Sequence, residues 1–274
     1  MIYDGKKSSH VLQEEMKIQV SNMAHKPILA VISISTHPSI ASFIKIKRKF
    51  AESIGVEMKE YNFDESINED NLIKEIQAII NSESCDAIIV QLPLPASYNT
   101  KRVLDILPTH LDVDVLGEKA FNLFKENNNS RIPPVAGAIA HILNDTNTDI
   151  KNKKVAIAGY GKLVGEPVSI WFNNQNIKTD IIDISTDEET KIKLYKEADI
   201  VVSGIGKPHH LKPEYFKQGV ILIDAGTSEQ AGVLAGDCDP LCADIASIIT
   251  PVPGGVGPLT VAYLFKNIVD KLVK

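Results

Sequence analysis

Tryptophan occurs once and cysteine three times in these 274 residues, and no apolar run approaches the length of about 20 that a bilayer span requires. The scarcity of cysteine excludes a disulfide framework, since Cys85, Cys238 and Cys242 cannot all pair. Cys238 and Cys242 have no histidine or third cysteine nearby to complete a zinc shell, so the three read as reduced, structural thiols and no metal is expected. Positive charge is not in excess either: 29 Lys and Arg stand against 35 Asp and Glu, a formal net charge of −6 with the signs interspersed. That leaves no basic stripe for nucleic acid, and neither a nucleic-acid nor a membrane partner is expected. The opening stretch MIYDGKKSSHVLQEEMK lacks the basic-then-apolar order of a signal peptide, which makes the cytoplasm the expected location. Neither an internal repeat nor a low-complexity tract is present. Histidines are scattered, and His209–His210, after a proline, reads as an exposed loop.

What is present is an ordinary globular composition, 44% hydrophobic and 23% charged, in a chain long enough for two domains of roughly 100–150 residues. Short continuous apolar runs alternate with helical patterns: ILAVISI, a helix over Ser39 to Ile54, VEMKEYNF, a helix over Asn71 to Ile80, and DAIIVQL. Strands apolar on both faces and separated by helices predict a parallel sheet covered on both sides. A second series, KKVAIAG, TDIIDIS, ADIVVSGIG, GVILIDAG and SIITPV, predicts a second α/β unit. The joint is expected near Lys119 to Asn129, where the chain turns polar and Asn-rich before a helix from about Gly137 to Leu143. The fold class is therefore α/β in two domains, the second with a Rossmann-like parallel sheet.

Three stretches carry chemistry. In KKVAIAGYGKLVGEPVSIWF, a strand meets a turn with Gly159, Gly161 and Gly165 and then a helix, an arrangement that lets a pyrophosphate rest on the helix N-terminus. Asp183, near the carboxyl end of the next strand, is placed to bind an adenine ribose and to repel a 2′-phosphate, or serves only as a turn residue. This favours NAD, with NADP possible. Gly204, Ile205 and Gly206, after a further strand, are additional cofactor-facing candidates, as are Tyr160, Lys162 and Thr227. In the helix PSIASFIKIKRKFAESIGV, the stripe Ile40, Phe43, Ile44, Phe50, Ala51 and Ile54 has Lys47 in its middle. Such a lysine is either a stem running along the edge of the stripe or a cation held near a cleft with a lowered pKa. DAIIVQLPLP ends in Gln91 at the carboxyl end of a strand, and HLDVDVLG offers Asp112 and Asp114, either of which can hold a ligand or cap a turn. Finally, TPVPGGVGPLT sets a stiff loop of bare backbone directly before the last helix.

Together these residues resemble the bifunctional methylenetetrahydrofolate dehydrogenase/methenyltetrahydrofolate cyclohydrolase family. PVPGGVGPLT is similar to the family's PVPGGVGPMT almost letter for letter, VQLPLP matches fully, and DGK at 4–6, DVD at 112–114 and VG.P at 164–167 fall in order across essentially the whole chain. The resemblance implies a folate-binding catalytic domain over 1–120, completed by a C-terminal helix at 259–274 that packs back on it, and an NAD(P)-binding domain over 121–258. It implies Lys47 as the catalytic lysine, Gln91 as its partner and Asp114 as the acid that binds the pterin. Phe43, Val90, Leu92 and Pro253, Gly254, Gly255, Val256 and Gly257 would line the folate. The substrates implied are tetrahydrofolate one-carbon derivatives, oxidised from the methylene to the methenyl form and hydrolysed to the 10-formyl form by a homodimer. The chain also departs from the family. The usual SxxYxxxK reads Ile40, Phe43 and Lys47, losing two hydroxyls; DVDG becomes DVDV with Val115; PCTPxG reads Pro133 to Gly137 as PPVAG; and Tyr160 and Gly161 replace an Arg-like residue and a Ser in the nucleotide loop. These departures raise two rival readings, a dehydrogenase without cyclohydrolase activity and a binding protein without turnover.

Overall fold

The computed structural model describes residues 1–34, 38–82, 84–128, 131–230 and 233–273. The chain forms two compact units, Met1–Ser9 with Val135–Thr260, and His10–Pro134 with Val261–Lys274. The elements run α1 (Gly5–Ser21), β1 (Ile28–Ser33), α2 (Pro38–Ile54), β2 (Glu57–Asn62), α3 (Glu69–Asn81), β3 (Ala87–Val90), α4 (Thr100–Leu104), α5 (Glu118–Lys125) and α6 (Pro134–Asp145). They continue with β4 (Val155–Ala158), α7 (Gly165–Asn174), β5 (Thr179–Ile182), α8 (Glu188–Glu197), β6 (Ile200–Ser203), β7 (Ile221–Asp224), β8 (Ser228–Gln230), β9 (Val233–Ala235), β10 (Ile248–Ile249) and α9 (Val256–Leu272). The stretch expected as the joint is largely α5, and the units part later, at Pro134. Asn127 and Asn128 follow the end of α5, and Asn129 lies outside the described residues.

In the unit built on 10–134 and 261–273, a parallel sheet of order β2-β1-β3 carries an apolar core of Ala30, Ile32, Leu72, Ile76, Ile88 and Val103. Strand β3 is buried at every position, as its unbroken apolar run requires. Segment 111–113 runs alongside it, with Ile88 N–H donating to Leu111 O at 2.8 Å. Helix α9 contributes Phe265, whose ring stacks on Phe50 with centroids 5.1 Å apart, and Asn267, whose amide donates to Val113 O and Ile132 O at 2.9 and 2.8 Å.

In the other unit, five parallel strands lie in the order β10-β7-β6-β4-β5, and β8 and β9 pair antiparallel in a separate two-stranded sheet that sequence patterning did not anticipate. The polar segment SEQ has neither the length nor the apolar alternation of a strand read in isolation. Ile2 bridges Ile249, so the chain start extends the sheet beyond β10. Gly5 follows against the Pro-Gly loop: a Cβ there would lie 1.8 Å from Gly255 O, so the DGK and PGGVGP motifs interlock by backbone alone. That loop ends sooner than its composition suggests. Helix α9 starts at Val256, and Pro258 sits within its first turn, where its missing N–H would have had no helical partner anyway.

Asn267→Ala would strip a buried and a half-buried carbonyl of their donor, and is expected to lower stability by about 1–3 kcal/mol in urea denaturation. A change under about 0.5 kcal/mol would show that water replaces the amide at no cost.

Candidate functional site

Helix α2 buries Ile40, Ile44, Ala51 and Ile54, whereas Phe43, read as part of that stripe, is 43% exposed at its edge. Lys47 lies one turn beyond Phe43 on the same side of the helix, because residues four apart nearly eclipse on an α-helix. Its ammonium donates to Gln91 Oε1 at 2.8 Å. Gln91 immediately follows β3 and is itself buried; its own amide donates to Leu92 O at 2.7 Å, and its backbone N–H extends the β1–β3 ladder to Ile32 O. The glutamine therefore has one orientation, with its carbonyl oxygen turned to the lysine. Val90 is buried, and Leu92 is half-buried beside the exposed Pro93.

The two acids of DVDV separate cleanly. Asp112 is buried and accepts N–H bonds from Val115 at 2.8 Å, Leu116 at 3.1 Å and Gly117 at 2.8 Å, so both its oxygens are consumed by the turn it caps. Burial still pushes its carboxyl up to about 6. Asp114 accepts no hydrogen bond among the described residues, and it faces the charge of Lys47. Burial pushes the Lys47 ammonium down and the Asp114 carboxyl up, and each charge offsets part of the other's displacement. Shifts of this direction, produced by burial beside an opposite charge, are common among acid–base groups.

The Rossmann-like unit holds the second set. Gly159 has φ +86°, and a Cβ on Gly165 would lie 2.0 Å from Gly159 O, so the turn closes onto the start of α7 only without side chains. No side chain caps that helix at Val164, and the residues ahead of it, Tyr160, Gly161, Lys162 and Leu163, are exposed. A bare helix start behind a glycine turn suits a pyrophosphate. Asp183 follows β5; its Oδ1 accepts from Ser185 Oγ and N at 2.6 and 2.8 Å, bonds that hold its carboxyl below the usual range. The acid is thus both a turn former and an ionised group at the end of the strand. Gly204 and Ile205 are half-buried, and Gly206 and Thr227 are exposed, on the loops after β6 and β7. Gly255 and Val256 are buried, Gly254 half-buried, and Pro253 and Gly257 exposed. The described thiols are free, with Cys238 and Cys242 buried.

Sequence reading missed the residues beneath these loops. Asp224, Asp237, Ser203 and Thr250 are each almost wholly buried, a placement that apolar periodicity does not reveal. The one available signal was Asp in GDCD directly after glycine, a residue type that buries only with partners.

The chain matches the model of the tetrahydrofolate dehydrogenase/cyclohydrolase catalytic domain over residues 3–114 and that of the tetrahydrofolate dehydrogenase/cyclohydrolase NAD(P)-binding domain over 133–274. It is 36% identical to the bifunctional protein FolD of Mycoplasmopsis synoviae, with 98% of each chain covered. Among solved structures it is similar to bifunctional FolD from Campylobacter jejuni, with a TM-score of 0.95 and 27% identity over 99% of this chain and 98% of that one. The Trypanosoma brucei enzyme, complexed with NADP and an inhibitor, has a TM-score of 0.92 and 27% identity over 99% and 97%.

Val115 occupies the position of the family's glycine, and the structure shows why glycine suits it: φ is +58°, a region that costs a β-branched residue about 1–3 kcal/mol. At an ordinary buried site, Val→Gly is worse than Val→Ala by about 1 kcal/mol. Here the order should vanish or reverse, Val115→Gly being at least as stable as Val115→Ala in urea titrations. An alanine variant clearly the more stable of the two would contradict the left-handed backbone.

Proposed function

The chain belongs to the tetrahydrofolate dehydrogenase/cyclohydrolase family, and we propose how its own residues carry that family's two reactions. The enzyme oxidises 5,10-methylenetetrahydrofolate to the methenyl form with a nicotinamide cofactor and hydrolyses the product to 10-formyltetrahydrofolate. A nicotinamide cofactor held by the glycine turn and the loops after β6 and β7 would supply the acceptor for the hydride of the methylene carbon.

The observation that carries the assignment is the Lys47–Gln91 hydrogen bond beside Asp114. Lys47 is the proton-handling residue. In hydrolysis, water adds to the methenyl carbon, and the Nζ of Lys47, whose pKa burial lowers, takes the released proton and returns it to solvent as the ring opens. Gln91 holds the amine in line through its fixed carbonyl oxygen, a geometric contribution to orientation. Asp114, whose oxygens are not spent on the backbone, binds the pterin, whereas Asp112 shapes the turn that presents it. Phe43 lies open one turn from Lys47 and stacks on the folate, with Val90 and Leu92 beside it; Pro253, Gly254, Gly255, Val256 and Gly257 are assigned to the folate by the family motif alone. The reading does not require the two hydroxyls absent at Ile40 and Phe43, because the lysine keeps its glutamine.

For the cofactor, Gly159, Tyr160, Gly161, Lys162 and Gly165 receive the pyrophosphate, and Gly204, Ile205, Gly206 and Thr227 the remaining half. Asp183 makes NAD the preferred partner, since its ionised carboxylate would face a 2′-phosphate with like charge. A homodimer and a cytoplasmic location are proposed with the same family reading; no helix among the described residues is long and apolar enough to cross a membrane.

One assay tests the core of this: the purified protein with methylenetetrahydrofolate and each nicotinamide cofactor, following methenyl formation and decay. Lys47→Met should lower methenyl hydrolysis by at least about 100-fold with the thermal transition intact, and wild-type turnover in that variant would remove the lysine from its role. If the neutral amine acts, hydrolysis rises with pH through the lowered Lys47 pKa; Lys47→Arg, always charged, should lose that limb. For the cofactor, the ratio of kcat/KM for NAD to that for NADP should exceed one and fall about tenfold in Asp183→Ser, a loss of about 1.4 kcal/mol of discrimination. A wild type that prefers NADP ends that part of the reading.

A further inference from the structure

Loops at the carboxyl edge of a parallel sheet leave the ladder with their N–H groups unmatched, and each needs an acceptor. After β6 the acceptor is a side chain from elsewhere in the chain. Asp237 is completely buried, and its Oδ2 accepts from Ser203 Oγ at 2.6 Å and from Ile205 N–H at 2.7 Å, while its Oδ1 accepts from Lys207 N–H at 2.8 Å. One carboxylate therefore binds the loop 203–207 at its beginning, middle and end. Gly226, on the loop after β7, makes room for it: a Cβ there would lie 2.2 Å from the Asp237 carboxylate. That neighbouring loop is tied in the same way by Asp224, whose oxygens accept from Gly226 N–H at 3.0 Å and Cys238 N–H at 2.8 Å.

Strand order says which part of a dinucleotide this loop serves. Strand β4 carries the glycine turn, β5 with Asp183 lies on one side of it, and β6 lies on the other. A dinucleotide with its pyrophosphate over β4 and its adenosine ribose at Asp183 extends its other half towards β6 and β7. The loop after β6 is packed into that surface, since a Cβ on Gly204 would lie 2.6 Å from the Val164 side chain and one on Gly159 would lie 2.8 Å from Gly204 O.

We propose that Asp237 is a positioning residue for the nicotinamide half of the cofactor, holding Gly204, Ile205 and Gly206 in the one backbone conformation that receives it. The inference rests on the nucleotide-site reading given above. Asparagine at 237 keeps the size of the side chain but turns an NH2 group towards N–H or O–H donors, so at least one of the three bonds becomes a donor–donor clash. The loop then relaxes while the turn 159–165 and Asp183, held by their own contacts, do not. The selective consequence is a loss of affinity for the whole dinucleotide with no loss for its adenosine half, which a general weakening of the unit would not produce.

Isothermal titration of the purified protein with NAD and ADP-ribose, and in parallel with NADP and 2′-phospho-ADP-ribose, reads this directly. Asp237→Asn should raise the Kd of the dinucleotide about tenfold and leave that of the matching ADP-ribose fragment within about twofold. Ser203→Ala, which removes one donor and adds no clash, should show the same selectivity with a smaller rise of about threefold, and it carries the test if Asp237→Asn has no cooperative thermal transition. Gly165→Ala serves as the control for the site itself, because a Cβ there meets Gly159 O and should abolish binding of dinucleotide and fragment alike. If Gly165→Ala binds all the ligands as the wild type does, the nucleotide-site reading fails and the inference with it. If Gly165→Ala binds none, but the Asp237 and Ser203 variants bind the dinucleotide as the wild type does, or lose dinucleotide and fragment equally, the inference alone is overturned.

Discussion

The constraint on which both units depend is the one at the carboxyl edge of a parallel sheet, where ladders stop and amide N–H groups still have to be matched without water. Each unit meets it with buried aspartates. Asp112 gathers the N–H groups of residues 115–117 beside β3, and Asp237 and Asp224 gather those of the loops after β6 and β7. Thr250 adds a third stitch, accepting from Asp224 N–H at 2.7 Å. A buried carboxylate is costly in isolation, and burial raises Asp112 and Asp224 to about 6; two or three N–H bonds to each oxygen pair offset that cost. The result is a set of rigid loops at the edge where ligands of open α/β sheets collect.

Against this frame of spent acids, Asp114 stands apart. Only Val113 separates the two acids in sequence, yet Asp112 is consumed by backbone and Asp114 is answered by the Lys47 charge. Burial that would be costly for a lone lysine or a lone carboxylate is partly offset here, because each charge counters the other's displacement. Gln91 keeps the amine in place without adding charge, so the proton affinity of Lys47 is set by burial and by Asp114 alone among the groups that shift it.

Val115 shows a similar substitution of one physical means for another. A left-handed backbone residue normally calls for glycine, but here the turn is held by three bonds to Asp112 and the valine side chain is buried, so the fold imposes the conformation against local preference. The strain sits directly after Asp114.

The sequence by itself determined the buried central strands, since continuous apolar runs such as ILAVIS, AIIV and IVVS can only be buried on both faces; it determined the glycine turn before α7, the family through PVPGGVGPLT and VQLPLP, and the anomaly of Lys47 in an apolar stripe. These are local signals, carried by neighbours within a turn or a strand. Only the tertiary structure decided which of Asp112 and Asp114 was free to act, that Phe43 lies at the open edge of its stripe, that the last helix begins inside the Pro-Gly loop, and that Asp237 governs a loop some thirty residues away. Each of these depends on which donors meet which acceptors across long separations of chain, and residue type and periodicity carry no record of that pairing.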